Sequence, residues 1–296
     1  MHQQKGKLLF ATLSVILCWA YSPIGIRIGL QAYTPEHLAL IRFIIASAFL
    51  FILAISIKIT PLRLKDIPLL AGLGFFAVTL HHLLLNLGQM HVSAGAASVL
   101  AQSTPVFSAM IAYWFLKEKI SLWRCGCILI AMFGAAMVVV GDHGIAATNL
   151  YGLLVLGAAL SWSIYFVLQK KYSLHYDPFS MTCYTVWFGT LFLLPYVKGL
   201  NTAFMLAPLN VDIAVLILGI FPSALAYLAW AYVLKYVEVS RASSALYLIP
   251  PTAMLMAAVI LHEKTSVMVM LGGAIVLIGV VALNMEKSVK ARSLVG

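Results

Sequence analysis

Ser103 to Lys119 reads STPVFSAMIAYWFLKEK, and Leu248 to Lys264 reads LIPPTAMLMAAVILHEK. At an offset of 145, Pro105 falls on Pro250, Ala112 on Ala257, Leu116 on Leu261, and Glu118-Lys119 on Glu263-Lys264. Ser121 then meets Ser266, Gly134 meets Gly279 and Gly74 meets Gly219. The first helices align at 143: LCWAYSPIGIRIGLQAYTP (17–35) lies over LSWSIYFVLQKKYSLHYDP (160–178), so Trp19 matches Trp162 and Pro35 matches Pro178. A proline, a Glu-Lys pair and a serine kept in order at half the chain length mark an internal duplication. The sequence divides into 1–145 and 146–296.

The solvent for these repeats is read from composition. Of the 296 residues, 63% are hydrophobic and 9% charged; a soluble domain carries about 25% charged residues. Apolar runs of about 20 residues, enough to cross a bilayer, are expected at 8–30, 38–58, 67–90, 93–116, 121–140, 150–169, 179–197, 211–234, 241–261 and 265–284. That is five per half. With an odd number of spans, the second copy enters the membrane upside down. The expected fold is an all-α polytopic membrane protein, ten transmembrane helices in two inverted five-helix repeats. Such repeats suit a carrier, because two inverted halves give inward-open and outward-open states of similar energy.

The net charge of +10 would suit nucleic acid if it formed a basic face. It does not. With the N-terminus inside, fifteen of the nineteen Lys and Arg fall on inner segments, as the positive-inside rule requires. Both termini are expected in the cytoplasm, with no nucleic-acid partner. The exceptions are Arg27, Arg42, Lys198 and Lys264. The first run could pass for a signal peptide, but it has a counterpart in the second half and so belongs to the fold. Cys18, Cys125, Cys127 and Cys183 lie in apolar segments without metal spacing. No Gly-rich phosphate loop is present, so ATP is not the fuel.

Ten spans in a 5+5 inverted repeat, with Pro105 and Pro250 in the fourth helix of each half and Glu118-Lys119 and Glu263-Lys264 at its end, resemble the drug/metabolite transporter superfamily, EamA type. The resemblance covers essentially the whole chain. It implies a bacterial inner-membrane carrier without a cofactor, typically an exporter of amino acids or related metabolites. It also implies a central cavity lined by helices 1, 3, 4, 6, 8 and 9. Alternatives are a drug or nucleotide-type metabolite carrier and, from other classes, a membrane enzyme or a non-transporting subunit. The oligomer is expected to be a monomer or homodimer.

Candidate site residues follow from the cost of polarity in lipid. Proline removes one N–H and frees the carbonyl four residues back, so Pro105, Pro250 and Pro251 are candidate hinges. No Asp or Glu falls mid-span. Glu118 and Glu263 read as helix-end anchors, paired with the adjacent Lys or a neighbouring helix end. Arg42 and Arg27 lie on the outer side, where they either snorkel to the headgroups or attract a substrate carboxylate, which a guanidinium matches bidentately. His81 and His82 sit mid-helix about 100° apart, poorly placed to share a metal; no metal site is expected. They either bond neighbouring helices or line the cavity, where His titrates near neutral pH. Trp19, Trp162, Tyr165, Tyr227 and Tyr247 are candidate cavity walls, and Ser98 and Gln102 candidate polar contacts. Small polar residues of that kind also let helices pack closely.

Overall fold

The computed structural model describes residues 2–115, 121–143, 150–171, 176–236 and 246–293. Among these no strand occurs. The helical segments are α1 (His2–Gly29), α2 (Pro35–Ser56), α3 (Leu64–Gln89), α4 (Ala94–Phe115), α5 (Leu122–His143), α6 (Leu150–Lys171), α7 (Pro178–Leu193), α8 (Leu209–Trp230), α9 (Leu246–Ile260) and α10 (Val267–Ser293). By length and composition, seven helices among the described residues can cross a membrane. The segments α9 (Leu246–Ile260) and Val267–Ala282 of α10 are shorter apolar helices, and α7 has 16 residues. The chain is an all-α polytopic membrane protein. Glu118 lies outside the described residues.

Helix ends alternate between two faces. On the far face, away from the start of α1, Tyr33 before α2 donates to Asp212 of α8. There too, Ser93 donates to Asp142 at the end of α5 through its N–H (2.9 Å) and Oγ (2.6 Å). On the near face, the Tyr176 hydroxyl before α7 donates to Asp66 in the first turn of α3 at 3.0 Å, and Thr60 Oγ1 donates to Asp177 at 2.9 Å. The two Tyr–Asp bonds exchange the halves. Each Tyr precedes the capped proline that opens the second helix of one half, and each Asp precedes an Ile at the start of the third helix of the other. Burial pushes the Tyr33 hydroxyl up, with the Asp212 carboxylate adding to it, so Tyr33 stays a donor. Burial alone would raise the Asp177 carboxyl, but bonds from Ser180, Thr60 and Phe179 hold it below its usual range.

The close approaches have the same exchanged pattern. A Cβ on Gly134 of α5 would lie 2.7 Å from Gly272 O and Val276 N of α10. A Cβ on Gly279 of α10 would lie 3.0 Å from Cys127 O and 2.9 Å from Ala131 N of α5. At the offset of 145, Gly272 corresponds to Cys127 and Val276 to Ala131. The third helices repeat the pattern. A Cβ on Gly74 would lie 2.7 Å from Thr185 O of α7, and one on Gly219 would lie 3.0 Å from Arg42 O of α2, where Thr185 and Arg42 correspond at 143. Small residues set these crossings because association in lipid depends on contact packing.

Both third helices also break their register at matching places. In α3 a π-helical turn, Phe75–Leu80, follows Gly74. In α8 a π-helical turn, Phe221–Leu225, follows Gly219-Ile220 and contains Pro222. Such turns occur frequently at functional sites. The first one leads directly into His81-His82.

Candidate functional site

Pro222 carries no N–H, so the carbonyl of Leu218 loses its ordinary partner. Ser223 takes it, its hydroxyl donating to Leu218 O at 2.8 Å. This orients the Ser223 oxygen as an acceptor, and Arg42 Nε donates to it at 2.5 Å. The rest of the Arg42 fork is also held. Nη2 donates to Ser22 Oγ at 3.2 Å and Nη1 to His82 Nδ1 at 3.2 Å. The guanidinium carbon lies 5.4 Å from the Phe43 ring centre.

Arg42 is 2% exposed. A snorkelling side chain keeps its charged head in water; this one is enclosed by protein. All its partners here are neutral. No carboxylate pairs with it among the described residues; their only Lys/Arg–Asp/Glu salt bridge joins Arg27 to Glu263. A guanidinium only donates, so His82 Nδ1 accepts and a neutral His82 carries its proton on Nε2. That Nε2 is buried and has no hydrogen-bond partner.

From His82 a chain of rings leads across the molecule. His82 meets His81 edge-on at 4.6 Å, and His81 meets Trp162 at 4.7 Å. The His81 Nδ1–H is spent on Ala158 O at 2.8 Å. Trp162 packs on Tyr165 at 5.4 Å and edge-on to Tyr227 at 5.7 Å. Trp19 meets Tyr227 edge-on from the other side at 6.0 Å. The two tryptophans that correspond in the sequence therefore share one tyrosine. The Trp19 N–H is held by Pro222 O at 3.2 Å.

Seven candidates from the sequence thus join one connected cluster: Trp19, Arg42, His81, His82, Trp162, Tyr165 and Tyr227. Others are engaged elsewhere. Ser98 donates to Gly95 O of its own helix at 2.6 Å. Tyr247 donates to Val280 O of α10 at 3.4 Å. Gln102 sits at the break of α4, between Ala94–Ala101 and Thr104–Phe115. Pro105 opens the second segment, and Thr104 Oγ1 captures the Ala101 carbonyl that this proline frees, at 2.8 Å. Pro250 and Pro251 open the helical part of α9 after a 3-10 turn, Leu246–Leu248. Sequence reasoning missed Ser22, Ser223 and Phe43. The signal for the serines was there, since each adjoins a helix proline, Pro23 or Pro222, where side chains recapture freed carbonyls.

The family model for the EamA-like transporter family matches residues 6–140 and again 149–285. A relative named as the uncharacterized transporter YdfC, from Bacillus subtilis (strain 168), is 34% identical, with 95% of this chain and 92% of that protein aligned. A probable terminal-alkyne amino-acid exporter of Streptantibioticus cattleyicolor is 33% identical, over 94% of each chain. One crystal structure, at 18% identity, superposes with a TM-score of 0.63 over 98% of this chain and 99% of that one, which shows the fold alone. With the family model matched twice along a helical, membrane-spanning chain, the protein belongs to the EamA-like transporter family and is a multi-pass membrane transporter.

Proposed function

We propose that this protein exports amino acids or related carboxylate-bearing metabolites across the bacterial plasma membrane by alternating access, with both termini in the cytoplasm. The observation that carries the reading is Arg42: a buried guanidinium bonded only to Ser22, Ser223 and His82, with no acidic partner among the described residues. A charge in a low-dielectric interior is costly unless paired. A carboxylate cargo supplies the pair and also accepts from the free His82 Nε2–H. The ring chain of His81, Trp162, Tyr165, Tyr227 and Trp19 offers the apolar wall for the rest of the cargo. The amino-acid exporter among the relatives supports the same cargo class. Alternating access is supported by the exchanged pairing of corresponding positions, which makes the two halves equivalent across the membrane.

The test is mass spectrometry of small molecules in the medium of cells expressing the protein and of cells expressing Arg42→Ala at equal level. The expected result is an excess of a few amino acids or carboxylates that disappears in the variant. An excess that survives the substitution removes Arg42 from the site.

The break in α4 is proposed as the hinge. Pro105→Ala restores a donor for the Ala101 carbonyl and lets the helix run through Gln102 and Ser103. Transport is expected to slow severalfold while thermal stability holds or rises, because alanine is the better helix former through the break. Unchanged transport in liposomes would make the break a static bend.

A further inference from the structure

Arg27 is another of the four cations that the positive-inside rule disfavours, and the cluster around Arg42 does not use it. It stands at the far-face end of α1, in a cleft of about 310 Å³ lined by Arg27, Leu30, Gln31, Met90, Leu261 and Glu263. Its guanidinium is held in two ways. Nη1 donates to the last carbonyls of α3, Gln89 O at 3.0 Å and Met90 O at 3.2 Å. Nε faces Glu263 Oε1 at 3.4 Å. Charge-assisted hydrogen bonds close to about 2.7–2.9 Å, so this ion pair is loose, and its members are 35% and 18% exposed. The other Glu263 oxygen accepts from the Ala94 N–H that opens α4, at 3.0 Å. One carboxylate therefore ties the end of α9 to both α1 and α4. Beneath it lies an apolar plug from the same three helices, with Ile24, Ala94, Ala253 and Ala257 buried together and Leu261 against them.

We propose that this cleft is a second recognition point for the cargo's carboxylate, which takes the place of Glu263 on Arg27 and so releases α9 from α1 and α4 over the plug. Arg27 can exchange partners without moving, because the α3 carbonyls hold it independently of Glu263. Its Nη2 has no partner among the described residues, so an incoming carboxylate can engage the Nε–Nη2 edge bidentately, where Glu263 makes one long contact. Leu30, Met90 and Leu261 receive the apolar remainder. Opening of the far-face mouth is thereby keyed to the chemical group that Arg42 binds in the centre. The inference rests on the carboxylate reading of the cargo, and its test separates the two arginines.

The test follows one introduced thiol. Cys18, Cys125, Cys127 and Cys183 are changed to alanine, Ala257→Cys is added in the plug, and the chain is placed in lipid nanodiscs, where both faces are accessible. Labelling by a water-soluble maleimide then reports opening of the plug. Glu263→Gln is expected to raise the labelling rate severalfold. Sodium butyrate is expected to raise it in the parent, relative to sodium chloride at equal ionic strength, and to have no such effect in Arg27→Gln. Equal labelling of Glu263→Gln and the parent overturns the latch. A butyrate effect no larger than that of chloride overturns the recognition point. A butyrate effect that persists in Arg27→Gln but vanishes in Arg42→Gln also overturns it, while leaving the central reading intact. The converse, loss in Arg27→Gln and persistence in Arg42→Gln, upholds the far-face site by itself. If Glu263→Gln does not assemble, Arg27→Lys, which loses the Nε contact but keeps the charge, gives the same readout.

Discussion

Gly134→Leu is expected to leave little folded protein, and Gly279→Leu to do the same, whereas Gly126→Leu on the same helix as Gly134 is expected to be silent. At Gly134 even a Cβ would meet the α10 backbone at 2.7 Å, and at Gly279 the α5 backbone at 2.9 Å. Backbone cannot rotate aside as a side chain can, so α5 and α10 must separate and lose the contact that binds them. Overpacking in a well-packed interior costs about 1–3 kcal/mol and occasionally more. A leucine against backbone belongs at the upper end, enough to depopulate a protein of ordinary marginal stability. At Gly126 a Cβ meets nothing within 4 Å, and leucine there gains helix propensity. The readout is the monodisperse fraction after mild detergent extraction, compared at equal expression. Similar losses at Gly134 and Gly279 are required if the two positions are equivalent by the repeat. Loss at one and tolerance at the other would break that equivalence.

These glycines show which parts of the structure were legible in the sequence. Gly134 and Gly279 already align at 145, as do Gly74 and Gly219, because a close crossing needs the same small residue in each copy. The apolar runs were legible because lipid imposes their length. Trp19 and Trp162 were legible as partners, although not as neighbours of a single Tyr227. What escaped were features that depend on contacts between distant residues. Arg42 reads the same from sequence whether it snorkels or is buried. Only Ser223, 181 positions away, and His82, 40 away, decide it. Glu263 was expected to pair with Lys264 or with a neighbouring helix end; the helix ends hold it, through Arg27 in the last turn of α1 and the Ala94 N–H that opens α4. Ser98 was a candidate cavity contact; its hydroxyl donates back to Gly95, an option open to serine in any helix.

Arg42→Met is expected to weaken cargo binding about a hundredfold or more and, in the cargo-free protein, to raise the unfolding temperature. These opposite signs separate a recognition residue from a structural one. If Arg42 existed to tie α2 to α1, α3 and α8 through Ser22, His82 and Ser223, removing it would destabilise the protein. The magnitudes favour the other sign. An unpaired guanidinium loses several kcal/mol of hydration on burial; its three charge-assisted bonds return about 1.5–3 kcal/mol each but supply no counter-charge. Methionine fills similar space without the charge. Ser223 keeps its bond to Leu218 O, so the main new loss is the donor to His82 Nδ1, a cost of about 1–3 kcal/mol. The balance lies with relief, as when buried ionic groups are replaced by apolar ones. Cargo affinity moves the other way. Arg42→Gln removes the charge opposite the carboxylate at a cost of about 3 kcal/mol, about a hundredfold in apparent affinity. Arg42→Lys keeps the charge but loses the fork that spans Ser223, His82 and Ser22, and about tenfold is expected. Substrate-dependent thermal shift measures both quantities in one titration: the cargo-free midpoint reports the relief, and its displacement with cargo reports the affinity. A lower cargo-free midpoint in Arg42→Met, with the cargo shift retained, would make Arg42 a brace and place the carboxylate elsewhere.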